Sequence, residues 1–90
     1  MEFEYDPQKS ARNLAKHGID FGEAQRLWDD ERCFELASPF SSEDRHLVIG
    51  MIGDKHWTAI VTYRSAAVRI ISVRRSRKKE AACYDEANRR

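Results

Sequence analysis

The sequence lacks the long apolar runs of a membrane protein and has few of the residues that mark linkers. Its apolar stretches fall far short of the roughly 20 residues that a membrane-spanning helix needs. With two prolines and four glycines among 90 residues it shows no flexible linker, which predicts one domain over residues 1–90. The acidic start, Met1–Glu4, is untypical of a signal peptide. We therefore expect a cytoplasmic protein that does not bind membranes.

Cysteine is equally scarce. Cys33 and Cys83 stand fifty positions apart, with no C-x-x-C pair and no histidine at the spacing of a zinc site. Two free thiols are the favoured interpretation, and a disulfide is the alternative. The acidic residues are dispersed, apart from a cluster at residues 29–31, so the grouped carboxylates of a two-metal catalytic site are missing. We expect neither a metal nor another cofactor.

The formal net charge of +1 conceals an uneven distribution. Residues 1–63 hold 7 Lys and Arg against 12 Asp and Glu, whereas residues 64–90 hold 9 against 3. A basic segment on an acidic body indicates an anionic partner, either a nucleic acid or an acidic protein. The alternative is a charged terminal helix exposed to solvent, and the charge count does not separate the two.

Periodicity and turn residues predict an α+β fold of order β-α-α-β-β-β-β-α, with two N-terminal helices and a C-terminal helix covering an antiparallel sheet. Asp6 and Pro7 suit a helix start, and Gly18 suits its end. Asp20 and Glu23 have the spacing of a capping box. The predicted strands are residues 3–5, 33–37, 46–52, 57–63 and 68–73, the helices begin at 7, 21 and about 76, and a loop spans 38–44.

The last predicted strand leads into an arginine-rich run. Strict alternation places Val68, Ile70, Ser72 and Arg74 on one face, and Arg69, Ile71, Val73 and Arg75 on the other. Both faces are apolar in mid-strand, which predicts a central strand covered on both sides. Arg74 and Arg75 would emerge where this cover ends, and arginines at such a rigid position suit bidentate phosphate binding. The alternative is that one of them pairs with a carboxylate.

Three further side chains are candidates for proton transfer or pairing. Tyr84 can stack on a base or donate a proton, although a helical tyrosine often docks on the sheet instead. Glu80, four residues earlier, can pair with an arginine. His17 is a candidate general acid or base, or simply a cation at a helix end beside Gly18. His46 and His56 have no partners at informative spacing. A base, an acid and cations are what metal-free cleavage of RNA requires.

Three segments resemble the BrnT family, toxins of type II toxin–antitoxin modules. Tyr5 and Val73 are mild departures, since the family commonly has Trp and Ala there. The segments are Phe3-Glu4-Tyr5-Asp6-Pro7-x-Lys9, Asn13-x-x-Lys16-His17-Gly18-Ile19-x-Phe21-x-Glu23-Ala24 and Arg69-Ile70-Ile71-Ser72-Val73-Arg74-Arg75-x-x-x-x-Glu80-x-x-x-Tyr84.

The resemblance implies a RelE-like fold and an RNA endonuclease that inhibits translation. It also implies a BrnA-type antitoxin with a ribbon-helix-helix domain, a toxin–antitoxin hetero-oligomer, and contact with operator DNA only through the antitoxin. A binding module without turnover, acting as co-repressor, is the alternative. The expected catalytic residues are Arg74, Arg75, Tyr84 and His17, and the expected RNA contacts are Lys16, Arg45, Arg64, Arg69, Arg77 and Glu80.

Overall fold

A computed structural model of the chain describes residues 1–38 and 44–89. The α+β architecture and its element order are confirmed, with a 3₁₀ helix at Gln25–Asp29 added. Most of the loop predicted at residues 38–44 lies outside the described residues. The elements are β1 (Glu2–Glu4), α1 (Pro7–His17), α2 (Phe21–Ala24), β2 (Phe34–Ala37), β3 (Arg45–Ile52), β4 (Lys55–Arg64), β5 (Ala67–Arg75) and α3 (Lys78–Ala87).

The five strands form one sheet in the order β1-β5-β4-β3-β2. Strands β2 to β5 are antiparallel neighbours, but β1 lies parallel to β5, with Phe3 opposite Val68. The sheet is therefore mixed, and the prediction of an antiparallel sheet is wrong at this edge. A parallel pair needs a long connection between its strands, and here the rest of the fold supplies it.

The cap residues of the first two helices behave largely as predicted. The Asp6 carboxylate accepts a hydrogen bond from the Gln8 amide at 2.8 Å, and Gly18 ends α1 with a φ of 79°. Asp20 accepts from the Glu23 amide at 2.7 Å, but the Glu23 carboxylate pairs with Arg26. Only the Asp20 half of the predicted capping box is thus observed, and α2 passes into the 3₁₀ helix after four residues.

The core lies between one face of the sheet and the N-terminal helices. Phe21 and Leu27 are fully buried and fill its centre. Helix α3 packs on the opposite face of the sheet, which we call the second face. Glu80 of α3 contacts Thr58 of β4, whereas Ala59, the next residue of β4, is in the core. Successive residues of a strand point to opposite faces, so Thr58 and α3 lie on the second face. The core residues are Ile19, Phe21, Ala24, Leu27, Val48, Ala59, Val61, Val68, Ile70 and Val73.

A β-bulge in β5 overturns the predicted alternation. Ile70 is paired with Val61 and Ser72 with Ile60, so Ile71 has no partner on β4. The extra residue reverses the pattern beyond it, and Val73 joins Ile70 in the core. The expected cover on both sides is also wrong, because Ile71 and Ser72 are only half-buried.

Two other predictions concern the whole chain. Both thiols are free, as expected, with Cys33 half-buried and Cys83 exposed. Among the described residues, no helix combines the length and the apolar character needed to cross a membrane.

Candidate functional site

The bulge gives the second face of the sheet a row of polar side chains along β5. Arg69, Ser72 and Arg74 follow one another there, because Arg69 is opposite Thr62 and Arg74 is opposite Thr58. Helix α3 packs on the Arg74 end of this row, and all three side chains are half-buried. A bulge that re-aims side chains in this way is a common device beside functional sites.

Arg74 is held at the end of β5 by Glu80. Its two terminal nitrogens donate to the two Glu80 carboxylate oxygens, both at 2.8 Å. Glu80 also accepts from the Thr58 hydroxyl at 3.0 Å and from the Arg77 amide at 2.8 Å. For Arg74, the alternative raised from the sequence is therefore observed: this arginine pairs with a carboxylate. Its partner comes from the basic segment itself, and not from the acidic body.

The hydrogen bonds keep this pair ionised. Burial alone would raise the pKa of Glu80, but the bonds from Arg74, the Arg77 amide and Thr58 lower it to about 2. The Glu80 bond raises the pKa of Arg74 further. A third Arg74 bond, to the carbonyl of Arg75, is longer at 3.3 Å. Of the five guanidinium N–H groups, two are thus without an acceptor among the described residues and are available to a ligand.

Arg75 lies on the other face of the sheet. Its guanidinium carbon lies 5.6 Å from the centre of the Trp57 ring, and its Nε donates to the His56 carbonyl at 3.3 Å. The two arginines that the sequence suggested as joint phosphate ligands are therefore fixed by different partners and point in opposite directions.

Tyr84 packs its ring on the sheet, as the alternative interpretation had it. The residue is 7% exposed, and its hydroxyl donates to Asp30 at 2.6 Å. Burial and the Asp30 bond raise the pKa of Tyr84 to about 12. The ring contacts Phe34 and His56. This geometry makes Tyr84 an anchor of α3.

Asp30 is a structural residue that the sequence reading missed. Its carboxylate accepts from the Met51 amide at 2.8 Å as well as from Tyr84. Burial would raise the pKa of Asp30, but bonds from Tyr84, the Met51 amide and the Arg32 amide lower it. The only signal in the sequence was its place in the acidic cluster at residues 29–31.

Asn13 fixes helix α1 beside β5. Its side-chain amide donates to the carbonyls of Ile19 and Val73, both at 2.8 Å, and accepts from the Val73 amide at 3.2 Å. Because Asn13 is buried, these bonds are shielded from water. The contact brings the basic end of α1 alongside β5, where Lys16 and His17 line a cavity with Ser72.

A second cavity, of about 520 Å³, adjoins the first. Arg45, Arg64 and Arg69 line it together with Lys9. Glu4 of β1 approaches two of these arginines, with its Oε1 3.6 Å from Arg69 and 3.8 Å from Arg64. Five predicted RNA contacts or catalytic residues are thus grouped here: Lys16, His17, Arg45, Arg64 and Arg69.

The two histidines dismissed from the sequence both pair with carboxylates. His56 Nε2 lies 2.9 Å from Asp85, and His46 Nδ1 lies 2.9 Å from Glu35, which also accepts from Tyr63. Their partners are distant in sequence, so spacing gave no signal. Among residues 1–38 and 44–89, no three His, Cys, Asp or Glu side chains are grouped to hold a metal ion.

The chain matches a model of a known protein family. No curated protein matches the chain. Residues 5–80 match the family model described as the ribonuclease toxin, BrnT, of type II toxin–antitoxin systems. Since this match covers most of the 90 residues, the chain belongs to the BrnT family of ribonuclease toxins.

Proposed function

We propose that this toxin cleaves RNA without a metal ion on the second face of the sheet, beside Arg74. The observation that carries the proposal is the bidentate Arg74–Glu80 pair. It leaves two guanidinium N–H groups without an acceptor among the described residues, on the sheet face that also carries Arg69. Donors fixed before the reaction stabilise developing charge without reorganising, which is the most effective form of electrostatic catalysis.

The chemistry we propose is attack by the RNA's own 2′-hydroxyl. The 2′-oxygen bonds to phosphorus, the bond to the 5′-oxygen breaks, and the products are a 2′,3′-cyclic phosphate and a 5′-hydroxyl. A base takes the 2′-hydroxyl proton and an acid returns a proton to the leaving oxygen. Arg74 would bind the non-bridging oxygens, whose negative charge increases in the transition state.

His17 is the proton-transfer residue that the geometry favours. It lines a cavity with Ser72, and Ser72 precedes Arg74 on the same sheet face. Tyr84 is less suitable, because its hydroxyl already donates to Asp30 within the protein. We assign Tyr84 to holding α3, and Arg75, on the opposite face, to binding a flanking phosphate.

The test is cleavage of RNA by the purified chain in EDTA. We expect discrete products ending in a 2′,3′-cyclic phosphate, and no cleavage where the attacking 2′-hydroxyl is replaced by hydrogen. Arg74→Ala should lower kcat by about 100-fold or more. Arg26→Ala removes an arginine that also pairs with a carboxylate, Glu23, and is the matched control. Activity that EDTA abolishes, or that Arg74→Ala leaves intact, contradicts the proposal.

The antitoxin partner belongs to the same proposal. Type II toxins are neutralised by a protein antitoxin, and we propose a BrnA-type ribbon-helix-helix protein that forms a hetero-oligomer with this chain in the cytoplasm and carries it to operator DNA. Protection of RNA without cleavage would instead support the binding module as the function. The partial neutralisation of Arg74 by Glu80 is the observation that favours that alternative.

A further inference from the structure

A groove runs along one edge of β5, in a stretch where no other strand of the described residues pairs with that edge. Strand β1 pairs with β5 only as far as Arg69, and the Asn13 side chain occupies the edge at Val73. Between these points lies the bulge residue Ile71. Ile71 and Lys9 line both cavities described above, so the two cavities join into one feature, which we call the edge groove.

The edge groove gathers cations from four elements. Most of these side chains are exposed, unlike Arg74, whose side chain is 19% exposed and bound to Glu80. Within the described part of the chain, the carboxylate that pairs with them is Glu4, at 3.6 Å or more. The groove therefore keeps a net positive charge. Its cationic side chains are Lys9, Arg12, Lys16, His17, Arg45, Arg64 and Arg69.

The lining favours phosphate groups over bases or a protein surface. Lysine is a flexible point charge, and arginine presents N–H groups that match phosphate oxygens. Apolar surface in the groove comes from Ile71 and from the ring of Tyr63, whose hydroxyl is bound to Glu35. These two side chains do not form the apolar centre that a stable protein interface needs. Contacts to phosphates fix a strand in place and carry no direct sequence information.

We propose that the edge groove binds the backbone of single-stranded RNA on one side of the phosphate held at Arg74, through phosphates and not bases. The inference rests on the proposed function and adds Lys9 and Arg12 to the binding surface. Ser72 lines the groove, and Arg74 follows it on the same face at a distance of roughly 7 Å along the strand. A strand that leaves the groove at Ser72 therefore reaches the Arg74–Glu80 pair directly.

Binding of an uncleavable strand tests the groove separately from catalysis. The probe is a 2′-O-methyl oligonucleotide of about ten nucleotides, within the range of single-strand binding sites. The variant is Lys9→Gln/Arg12→Gln/Lys16→Gln in the full chain. The matched control, Lys78→Gln/Lys79→Gln/Arg89→Gln, removes the same charge from exposed positions in and after α3.

We expect the groove variant to bind at least about 10-fold more weakly at low salt. Its plot of log affinity against log salt should be shallower by about 2, because each single-strand phosphate contact contributes roughly 0.7 to the slope. The control should lose much less. Probes of uniform U, A or C sequence should bind the native chain within about threefold of one another, because phosphates carry no base identity.

Several outcomes would overturn the inference. Equal losses in the groove variant and the control would show that only net charge matters. Normal probe binding combined with loss of antitoxin binding would make the groove a protein site. A strong preference for one base would contradict backbone binding. Absence of cleavage in EDTA would defeat the proposed function alone, since the probe measures binding without turnover.

Discussion

The Arg74–Glu80 pair and the edge groove use the same kind of residue in opposite ways. Arg74 has a carboxylate bound to it at 2.8 Å, and the exposed fractions of the two side chains are 19% and 11%. The Arg64 side chain in the groove is 64% exposed, and the Glu4 carboxylate oxygen that pairs with it lies 3.8 Å away. An arginine that a carboxylate fixes and partly neutralises can hold a phosphate in a defined position. Solvated arginines mainly attract phosphates through their charge.

This difference divides the expected work between the two regions. The charge of the pair is close to zero, so it adds little to the long-range attraction of RNA. In our proposal the groove provides that attraction and should set the salt dependence of binding. The pair should instead decide how fast a bound phosphate reacts. Each prediction below alters one region and asks whether the other responds.

Among the conservative substitutions, the largest effect should come from replacing Arg74 with lysine. Lysine keeps the charge but loses the planar fork that binds both oxygens of Glu80 while presenting further N–H groups. We expect Arg74→Lys to lower kcat by about 100-fold with little change in RNA affinity. Single-turnover cleavage and binding of the uncleavable probe measure the two quantities.

Arg69→Lys is the counterpart in the groove. We propose that Arg69 acts through its charge and not through a fixed set of hydrogen bonds. Lysine should therefore replace it with less than about a threefold change in kcat or in probe affinity. If the two substitutions have similar effects on kcat, the distinction between a geometric and an electrostatic arginine fails.

The next effect concerns stability and depends on pH. The pKa of Glu80 in the folded chain is about 2, well below its ordinary value of 4.5. The lowered pKa therefore stabilises the fold fully above about pH 4.5, and this stabilisation is lost as the pH falls towards 2. Glu80→Gln should cost roughly 2 kcal/mol at pH 7, allowing for partial exposure of the pair.

Urea unfolding at a series of pH values measures this. The stability gap between the native chain and Glu80→Gln should narrow steadily below about pH 4.5. Glu86→Gln breaks an exposed pair with Arg89 and should change little at any pH. A gap that stays constant down to pH 3 would mean that the ionised Glu80 carboxylate is not what holds the helix.

Tyr84→Phe should have a smaller effect, on stability and not on chemistry. It removes the hydroxyl that donates to Asp30, a bond to a charged acceptor, and should cost about 1–2 kcal/mol. Cleavage should change by no more than about threefold. Tyr63→Phe, which removes a donor to Glu35 on a more exposed ring, should cost less. Loss of cleavage in a folded Tyr84→Phe chain would restore Tyr84 as the acid.

The sequence predicted what depends on neighbours along the chain. Asp6 and Gly18 mark the ends of α1 because capping involves residues within a turn. The bulge at Ile71 escaped prediction because it is defined by the register of β4, and apolar residues on both sides of it conceal the shift. Because of this one extra residue, the side chains that follow the bulge lie on the opposite face from the one that strict alternation with the preceding residues predicts.

The candidate site was predictable in composition but not in arrangement. Charge asymmetry and resemblance pointed to most of the arginines that the structure groups along β5 and its neighbours, and pairing of Arg74 with a carboxylate was the stated alternative. Asn13 and Val73 are sixty residues apart, so the bonds that place α1 beside β5 leave no local pattern. Lys9 and Arg12 were missed for the same reason, since only that placement brings them to the groove.

The smallest predicted effect is a gain. Glu4 Oε1 is buried and has no hydrogen-bond partner among the described residues, although Arg64 and Arg69 lie 3.8 and 3.6 Å away. The negative charge of Glu4 would repel an RNA phosphate bound in the groove as we propose. Glu4→Gln should therefore strengthen probe binding by about two- to threefold and steepen the salt dependence slightly, with little change in stability.

Glu86→Gln makes the same change of charge on α3 and is the control for net charge. If it strengthens binding as much as Glu4→Gln does, the gain comes from the overall field of the protein. If Glu4→Gln weakens binding, the carboxylate holds Arg64 and Arg69 in place for the RNA, and the groove resembles the Arg74–Glu80 pair more closely than its exposure indicates. If only Glu4→Gln strengthens binding, the two regions remain distinct. Glu80 then holds Arg74 in the position that the reaction needs, whereas Glu4 weakens the attraction of Arg64 and Arg69 for RNA.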